Sequence, residues 1–321
     1  MLDFSADWEP DPLEGEGDQQ LRSVFVALKD ADSDGARVGR LMRATLDQLY
    51  DGQRTGRYSW AHLHKTERTH FGTLFEINLR REFDDVIDEG VKLDYRIAGF
   101  DVDCKFSQRM YGWMIPPEAM GHLLVVGYVN DAAGEFAFGI VRASVENCRT
   151  TANRDAKVQL NPRGRDAVRW LQRPGDLPPN VLLQCDAEDL AAIFEPRSGQ
   201  KRVNELLRRV VARRIGRNTI ATVAQQDDFM KRVRANGGAR TLLKREGLVV
   251  LGGDYANHRR VARELRVEVP EPGEVVSVRL APAAEDDPFA TFLADRWWRA
   301  ALADDPVFEA PEVPFKAALS T

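Results

Sequence analysis

Residues 93–106, LDYRIAGFDVDCKF, constrain the chain more than any other stretch. Apolar and polar residues alternate on both sides of Ala98-Gly99, the pattern of two antiparallel strands joined by a two-residue turn. Successive side chains of a strand point to opposite faces. Phe100, Val102, Cys104 and Phe106 are therefore expected to enter a core, while Asp101, Asp103 and Lys105 share the other face. With Ala98-Gly99 at the centre of the turn, Asp94 falls opposite Asp103. Carboxylates opposed across a sheet repel each other, and a divalent cation between them would offset that cost. Oxygen ligands without a His or Cys partner favour Mg²⁺ over zinc.

That face offers what hydrolysis of a phosphodiester requires. A metal held by Asp94 and Asp103 would polarise a phosphoryl oxygen and lower the pKa of a bound water. Lys105 is placed to orient or deprotonate that water and to stabilise charge developing on phosphorus. Glu76, on a helix expected over Phe71–Phe83, is a further candidate ligand of metal or water. Asp, eight residues, then Asp-x-Lys is the spacing of PD-(D/E)xK nucleases. The same residues also suit a solvated charged face on an edge strand, and the spacing alone leaves both readings open. No GxxxxGK[ST] or GxGxxG loop is present. His62, His64 and His70 do not form HExxH, and Tyr50 and Tyr95, flanked by aliphatics, read as packing residues.

Around this hairpin the periodicity predicts a helix over Val38–Tyr50, stopped by Asp51-Gly52. Strands are expected over His122–Asn130 and Glu135–Ala143. The first 20 or so residues read as a loose acidic arm, without the basic start and apolar block of a secretory signal. Gln172–Asn180, with three prolines and a glycine, reads as an interdomain linker. Beyond it the pattern predicts a basic helix over Val203–Ile215, a short strand at Ile220–Ala224 and a helix over Asp227–Ala235. A turn at Asn236-Gly237-Gly238, a helix over Ala239–Glu246 and a strand at Leu248–Leu251 follow. Helix, glycine turn, helix and strand is the order of a winged helix-turn-helix. Trp297-Trp298 is expected to anchor the C-terminal segment.

The length of 321 residues suits two domains. The longest apolar run, near Leu123–Val129, is far shorter than the roughly 20 residues of a membrane span. Three cysteines without CxxC spacing point to a reducing cytoplasm rather than a disulfide framework. The net charge of −5 speaks weakly against a nucleic-acid partner, yet Lys201–Arg245 holds 13 Lys and Arg against three acids. Arginine's planar fork suits phosphates and guanine edges. The candidate DNA contacts are Arg208, Arg209, Arg213, Arg217, Lys231, Arg232, Arg234, Arg240 and Lys244.

The segments TLDQLYDGQRTGRYSWAHLHKTERTHFGTLFEINLRREF, DYRIAGFDVDCKFS, TANRD and IATVAQQDDFMKRVRANGGAR resemble the NaeI family of type II (type IIE) restriction endonucleases. The similarity covers nearly the whole chain and is weakest before about residue 30 and after about Asn257. It implies an α/β (α+β) fold: a PD-(D/E)xK endonuclease domain with a mixed central sheet over 1–171, a linker over 172–180, and a catabolite-activator-like winged helix-turn-helix over 181–321. It implies Glu76, Asp94, Asp103 and Lys105 as the active site, with the Cys104 backbone carbonyl joining the carboxylates around Mg²⁺. The implied reaction is Mg²⁺-dependent cleavage of both strands of duplex DNA at a GC-rich palindrome, GCCGGC in the family's namesake, leaving 5′-phosphate ends. A homodimer in the prokaryotic cytoplasm, with a second DNA copy as effector at the C-terminal domain and no membrane, completes what the resemblance implies. The competing reading is a catalytically inactive, sequence-specific DNA-binding protein; four intact site residues speak against it.

Overall fold

Ala98 and Gly99 both take positive φ, 49° and 87°, the backbone of the hairpin turn whose twist matches its strands. A computed structural model describes residues 17–315. In it this turn joins β2 (Tyr95–Ile97) to β3 (Phe100–Phe106) in the expected register: Tyr95 pairs with Val102, Arg96 with Asp101 and Ile97 with Phe100. The chain forms two units, one running up to Leu49 and from Leu63 to Pro178, the other comprising Tyr50–His62 and the chain from Pro179 onward.

In the first unit, α1 (Gln19–Ala31), α2 (Ala36–Tyr50) and, after the short α3 (Gly52–Thr55) of the other unit, α4 (Lys65–Glu82) precede the sheet. The sheet comprises β1 (Ile87–Glu89), β2, β3, β4 (Leu123–Asn130), β5 (Glu135–Arg142) and, after α5 (Pro162–Asp166), β6 (Arg169–Asp176), in that spatial order. Only β3 and β4 run parallel; the other neighbours are antiparallel. Phe106 packs under Phe71 and Phe75 of α4, which puts Val102, Cys104 and Phe106 on the helical face. The opposite face carries Leu124, Val126, Ala137 and Val141, and is covered by Trp113, Ile115, Leu160, Val168 and Trp170.

Three expectations change here. Asp103 and Lys105 do lie on the face opposite the core-directed residues, but Asp103 is only 4% exposed, because chain after β3 returns over that face. Alternation separates two faces without revealing that both are covered. Gln172–Asp176 of the expected linker belongs to β6, where Pro174 is tolerated because β6 is an edge strand; the change of unit falls at Pro178–Pro179. Most of the expected acidic arm lies outside the described residues, and Gln19 and Gln20 already belong to α1.

The second unit holds α3, α6 (Ala187–Phe194), α7 (Gly199–Arg209), β7 (Arg214–Ile215), α8 (Arg217–Ala224), α9 (Ala239–Leu242), β8 (Leu248–Gly252), α10 (Ala256–Glu264), β9 (Val275–Pro282), β10 (Thr291–Leu293) and β11 (Arg296–Ala300). Antiparallel pairing places β7, β8 and β11 against β9, with β10 beside β11. The expected helix over Val203–Ile215 stops at Arg209, and Ile215 belongs to β7. Ile220–Ala224 is helical: an apolar run buried all round carries no periodicity to tell strand from helix. Asp227–Ala235 yields only a 3₁₀ turn at Phe229–Arg232, and Ala239–Glu246 shortens to α9 plus a turn at Lys244–Glu246. Asn236 and Gly237 make the left-handed turn that the sequence requires, with φ of 65° and 91°. Trp298 lies in one buried cluster with Ala310, against which Val313 packs, the placement expected of an anchor for the chain around residue 310.

His258 is 1% exposed in this unit. Its Nδ1 accepts a hydrogen bond from Gly252 N, and Nε2 faces the Val313 carbonyl at 3.2 Å. Burial, then the Arg240 charge, pushes its pKa down to about 4. The unfolded chain takes up a proton near pH 6.5 and the folded chain does not, so this residue removes stability as pH falls from 6.5 towards 4. The loss amounts to about 3 kcal/mol at the bottom of that window. Thermal melts should show His258→Gln losing less stability than wild type between pH 6.5 and 4; parallel curves would refute it.

Candidate active site

Four side chains on three consecutive pieces of structure make the site. Asp103 and Lys105 are held by β3, whose pairing with β4 sets Asp103 beside Leu124 and Lys105 beside Val126. Asp94 stands one residue before β2, where its Oδ2 accepts a hydrogen bond from Cys104 N at 2.8 Å. That bond replaces the next rung of the hairpin and fixes the carboxylate beside β3. The loop presenting it turns so tightly that a Cβ on Gly90 would meet the Leu93 carbonyl oxygen at 1.8 Å.

Glu76 comes from α4. Its helix is tied to the hairpin by the buried Tyr95, whose hydroxyl donates to the Glu76 carbonyl oxygen at 2.7 Å. The aliphatic neighbours of this tyrosine suggest a packing role only. Its position three residues before the turn set its face, but nothing local showed which helix its hydroxyl would reach.

Charge dominates the arrangement. Lys105 Nζ lies 2.6 Å from Asp103 Oδ2 and 4.0 Å from Asp94 Oδ2, and donates to the Cys104 carbonyl at 2.8 Å. The contact with Asp103 is ionic but poorly directed, since that buried oxygen has no hydrogen bond. Burial, reinforced by Asp94 and opposed by Lys105, pushes Asp103 up to about 7. Glu76 is also raised, first by burial and then by the Asp94 charge, against the pull of Lys105. Asp103 and Glu76 are thus held where ionisation is costly, with the Lys105 ammonium as the balancing charge.

The donor set fits a hard divalent cation. Asp94, Asp103 and the Cys104 carbonyl surround the Lys105 ammonium, a point favourable to positive charge, and Asp103 Oδ2 has no directed hydrogen bond to surrender to a metal. One or two carboxylates with retained waters are a common magnesium environment. Among the described residues, however, no group of three or more His, Cys, Asp or Glu side chains is positioned to hold a metal. Glu76 acts on the site through its charge, which is coupled to those of Asp94 and Lys105.

The expected DNA-binding cations fare differently. Arg208 pairs with Glu205 and Glu246, Arg209 with Asp189, Arg232 with Asp228, and Lys244 with Glu309. Arg213 bonds to Gln184. Arg240 is largely buried between Tyr255 and Phe315 and donates to the Val250 carbonyl. Arg217, stacked on Phe229, and Lys231 and Arg234 remain exposed; Lys231 makes a loose 3.8 Å pair with Asp228.

The Restriction endonuclease NaeI family model matches residues 22–309. A type II restriction enzyme NaeI from Lentzea aerocolonigenes is 47% identical over 316 residues, covering 96% of this chain and 98% of that protein.

Proposed function

From its place in the restriction endonuclease NaeI family, to which the chain belongs, we propose that it is a Mg²⁺-dependent enzyme cutting both strands of duplex DNA at a GC-rich palindrome. The observation that carries this reading is the convergence of Asp94, Asp103, the Cys104 carbonyl and Lys105. Mg²⁺ held by the first three would supply Lewis acidity and a water of lowered pKa. Lys105 Nζ is the hydrogen-bond donor that meets negative charge developing on the phosphoryl oxygens. Glu76, raised by its burial, is a stronger base than an exposed carboxylate and is suited to accept a proton from water in the site. Cleavage at phosphorus with loss of the 3′-oxygen leaves 5′-phosphate ends.

A palindrome matches a two-fold dimer in which each site cuts one strand. The second unit supports a winged-helix reading for binding an effector DNA copy. Its elements run α7, β7, α8, a turn, α9, β8, α10 and β9, with β7 and β8 both paired to β9. In this reading the exposed cations Arg217, Lys231 and Arg234 contact phosphates, whereas Arg208 and Arg209 hold helices in place. Neutralising the first three together should lower the slope of log K against log salt for effector binding by about 3, at about 0.9 per phosphate contact. Neutralising Arg208 and Arg209 should leave the slope unchanged; the reverse result would exchange the two roles.

The deciding experiment is digestion of a fully sequenced plasmid with Mg²⁺, followed by end-sequencing. Ends at one palindromic sequence support the reading. A protein that binds the plasmid and never cuts it would be the inactive DNA-binding protein instead.

A further inference from the structure

The stretch from Val145 to Arg173 carries seven Lys and Arg against three acids, Glu146, Asp155 and Asp166. Unlike the cation-rich stretch of the second unit, it spends almost none of this charge internally. Among the described residues, Arg149, Arg154, Lys157 and Arg163 make no salt bridge and no side-chain hydrogen bond, and all but the half-buried Lys157 are exposed. Glu146 is the acid whose charge Arg163 feels, without forming a pair.

The stretch is nevertheless cross-linked by hydrogen bonds. Arg149 N bonds to Gln159 O and Asn153 N to Lys157 O, making a narrow finger. At its tip the Asn153 side chain accepts from the backbone N–H groups of Asp155 and Lys157, so Arg154 is displayed on a fixed turn. Bridges from Ile115 to Val158 and from Cys148 to Leu160 tie the finger down.

Its base packs on the face of the sheet that carries the proposed nuclease centre. Leu160, Cys148 and Trp170 join the cluster containing Leu124 and Val126, the strand partners of Asp103 and Lys105. Two further arginines flank this base. Arg165 lies over Tyr111 at 5.4 Å, and Arg173 over Trp170 at 5.0 Å.

We infer that the finger at residues 149–159, with Arg163, is a phosphate-tracking surface of the first unit. It grips the backbone of the duplex whose scissile linkage lies at Asp103. Unpaired guanidinium groups on a rigid turn lose little entropy on binding and have no internal partner to surrender, which suits a polyanion with regularly spaced charges. The inference rests on the reading of Asp94, Asp103 and Lys105 as a nuclease centre.

The test is steady-state cleavage of the plasmid by full-length protein carrying Arg149→Gln, Arg154→Gln, Lys157→Gln and Arg163→Gln. KM should rise by about tenfold or more at physiological salt, and its log–log salt slope should shrink by about 3 to 4. Cleavage at saturating DNA should fall far less than KM rises. The matching variant with lysine at the three arginine positions should keep the wild-type slope. An unchanged KM and slope in the glutamine variant would overturn the inference. So would a large drop in its melting temperature, because the side chains would then be engaged in the fold. If wild type itself leaves the plasmid intact, the nuclease reading fails; if wild type cuts and the glutamine variant matches it, only this surface fails.

Discussion

Lys105→Ala is expected to slow DNA cleavage by about 10³-fold or more, with DNA affinity in the absence of Mg²⁺ within a few-fold of wild type. Among the described residues the lysine is the one cation within 4.0 Å of both Asp94 and Asp103, and its proposed partner, charge developing on phosphorus, appears only as the bond breaks. An interaction made in the transition state lowers the rate constant without loosening the ground-state complex. Single-turnover cleavage and equilibrium binding, measured side by side, separate the two quantities. Equal losses in both would make Lys105 a phosphate grip.

The second large effect combines activity and stability in one substitution. Asp103→Asn should abolish detectable cleavage, because the amide lacks the negative charge with which a carboxylate holds a hard cation. In metal-free protein the same change should stabilise the fold by on the order of 1 kcal/mol near pH 8. The cause is the burial that pushes Asp103 up to about 7. Its folded-state pKa lies above the unfolded value of 3.8. The folded chain therefore holds more protons through the interval between them, and wild-type stability falls as pH rises from about 4 to 7. The advantage of asparagine should accordingly be small at pH 4 and largest above pH 7. A variant less stable than wild type at every pH would mean that the ion pair with Lys105 outweighs desolvation.

Much of this site is legible in the sequence because the rules that set it are short-ranged. The register of β2 on β3 follows from a two-residue turn, and Tyr95 duly faces Val102. The separation of Asp103 and Lys105 from Val102 and Cys104 follows from the pleat. The helix bearing Glu76 follows from its apolar spacing, although the bond from Tyr95 that fixes it joins residues 19 positions apart.

Charge shows the limit of such reasoning. Lys201–Arg245 is the denser run of cations, and counting made it the obvious DNA surface. Folding brings Glu246 to Arg208, Asp189 to Arg209 and Glu309 to Lys244, so much of that charge is neutralised from within. The finger around Arg154 is sparser in sequence yet keeps its charge free.

The hairpin, its register and the placement of Asp94, Asp103 and Lys105 follow from local residues alone, because turn geometry and strand alternation act within a dozen residues. The burial of Asp103, the completion of a sheet by residues 172–176 and the choice of cations that keep their charge for a partner emerge with the folded chain. Those outcomes depend on segments distant along the chain, and neither solvent exclusion nor ion pairing leaves a periodic trace in the residues it affects.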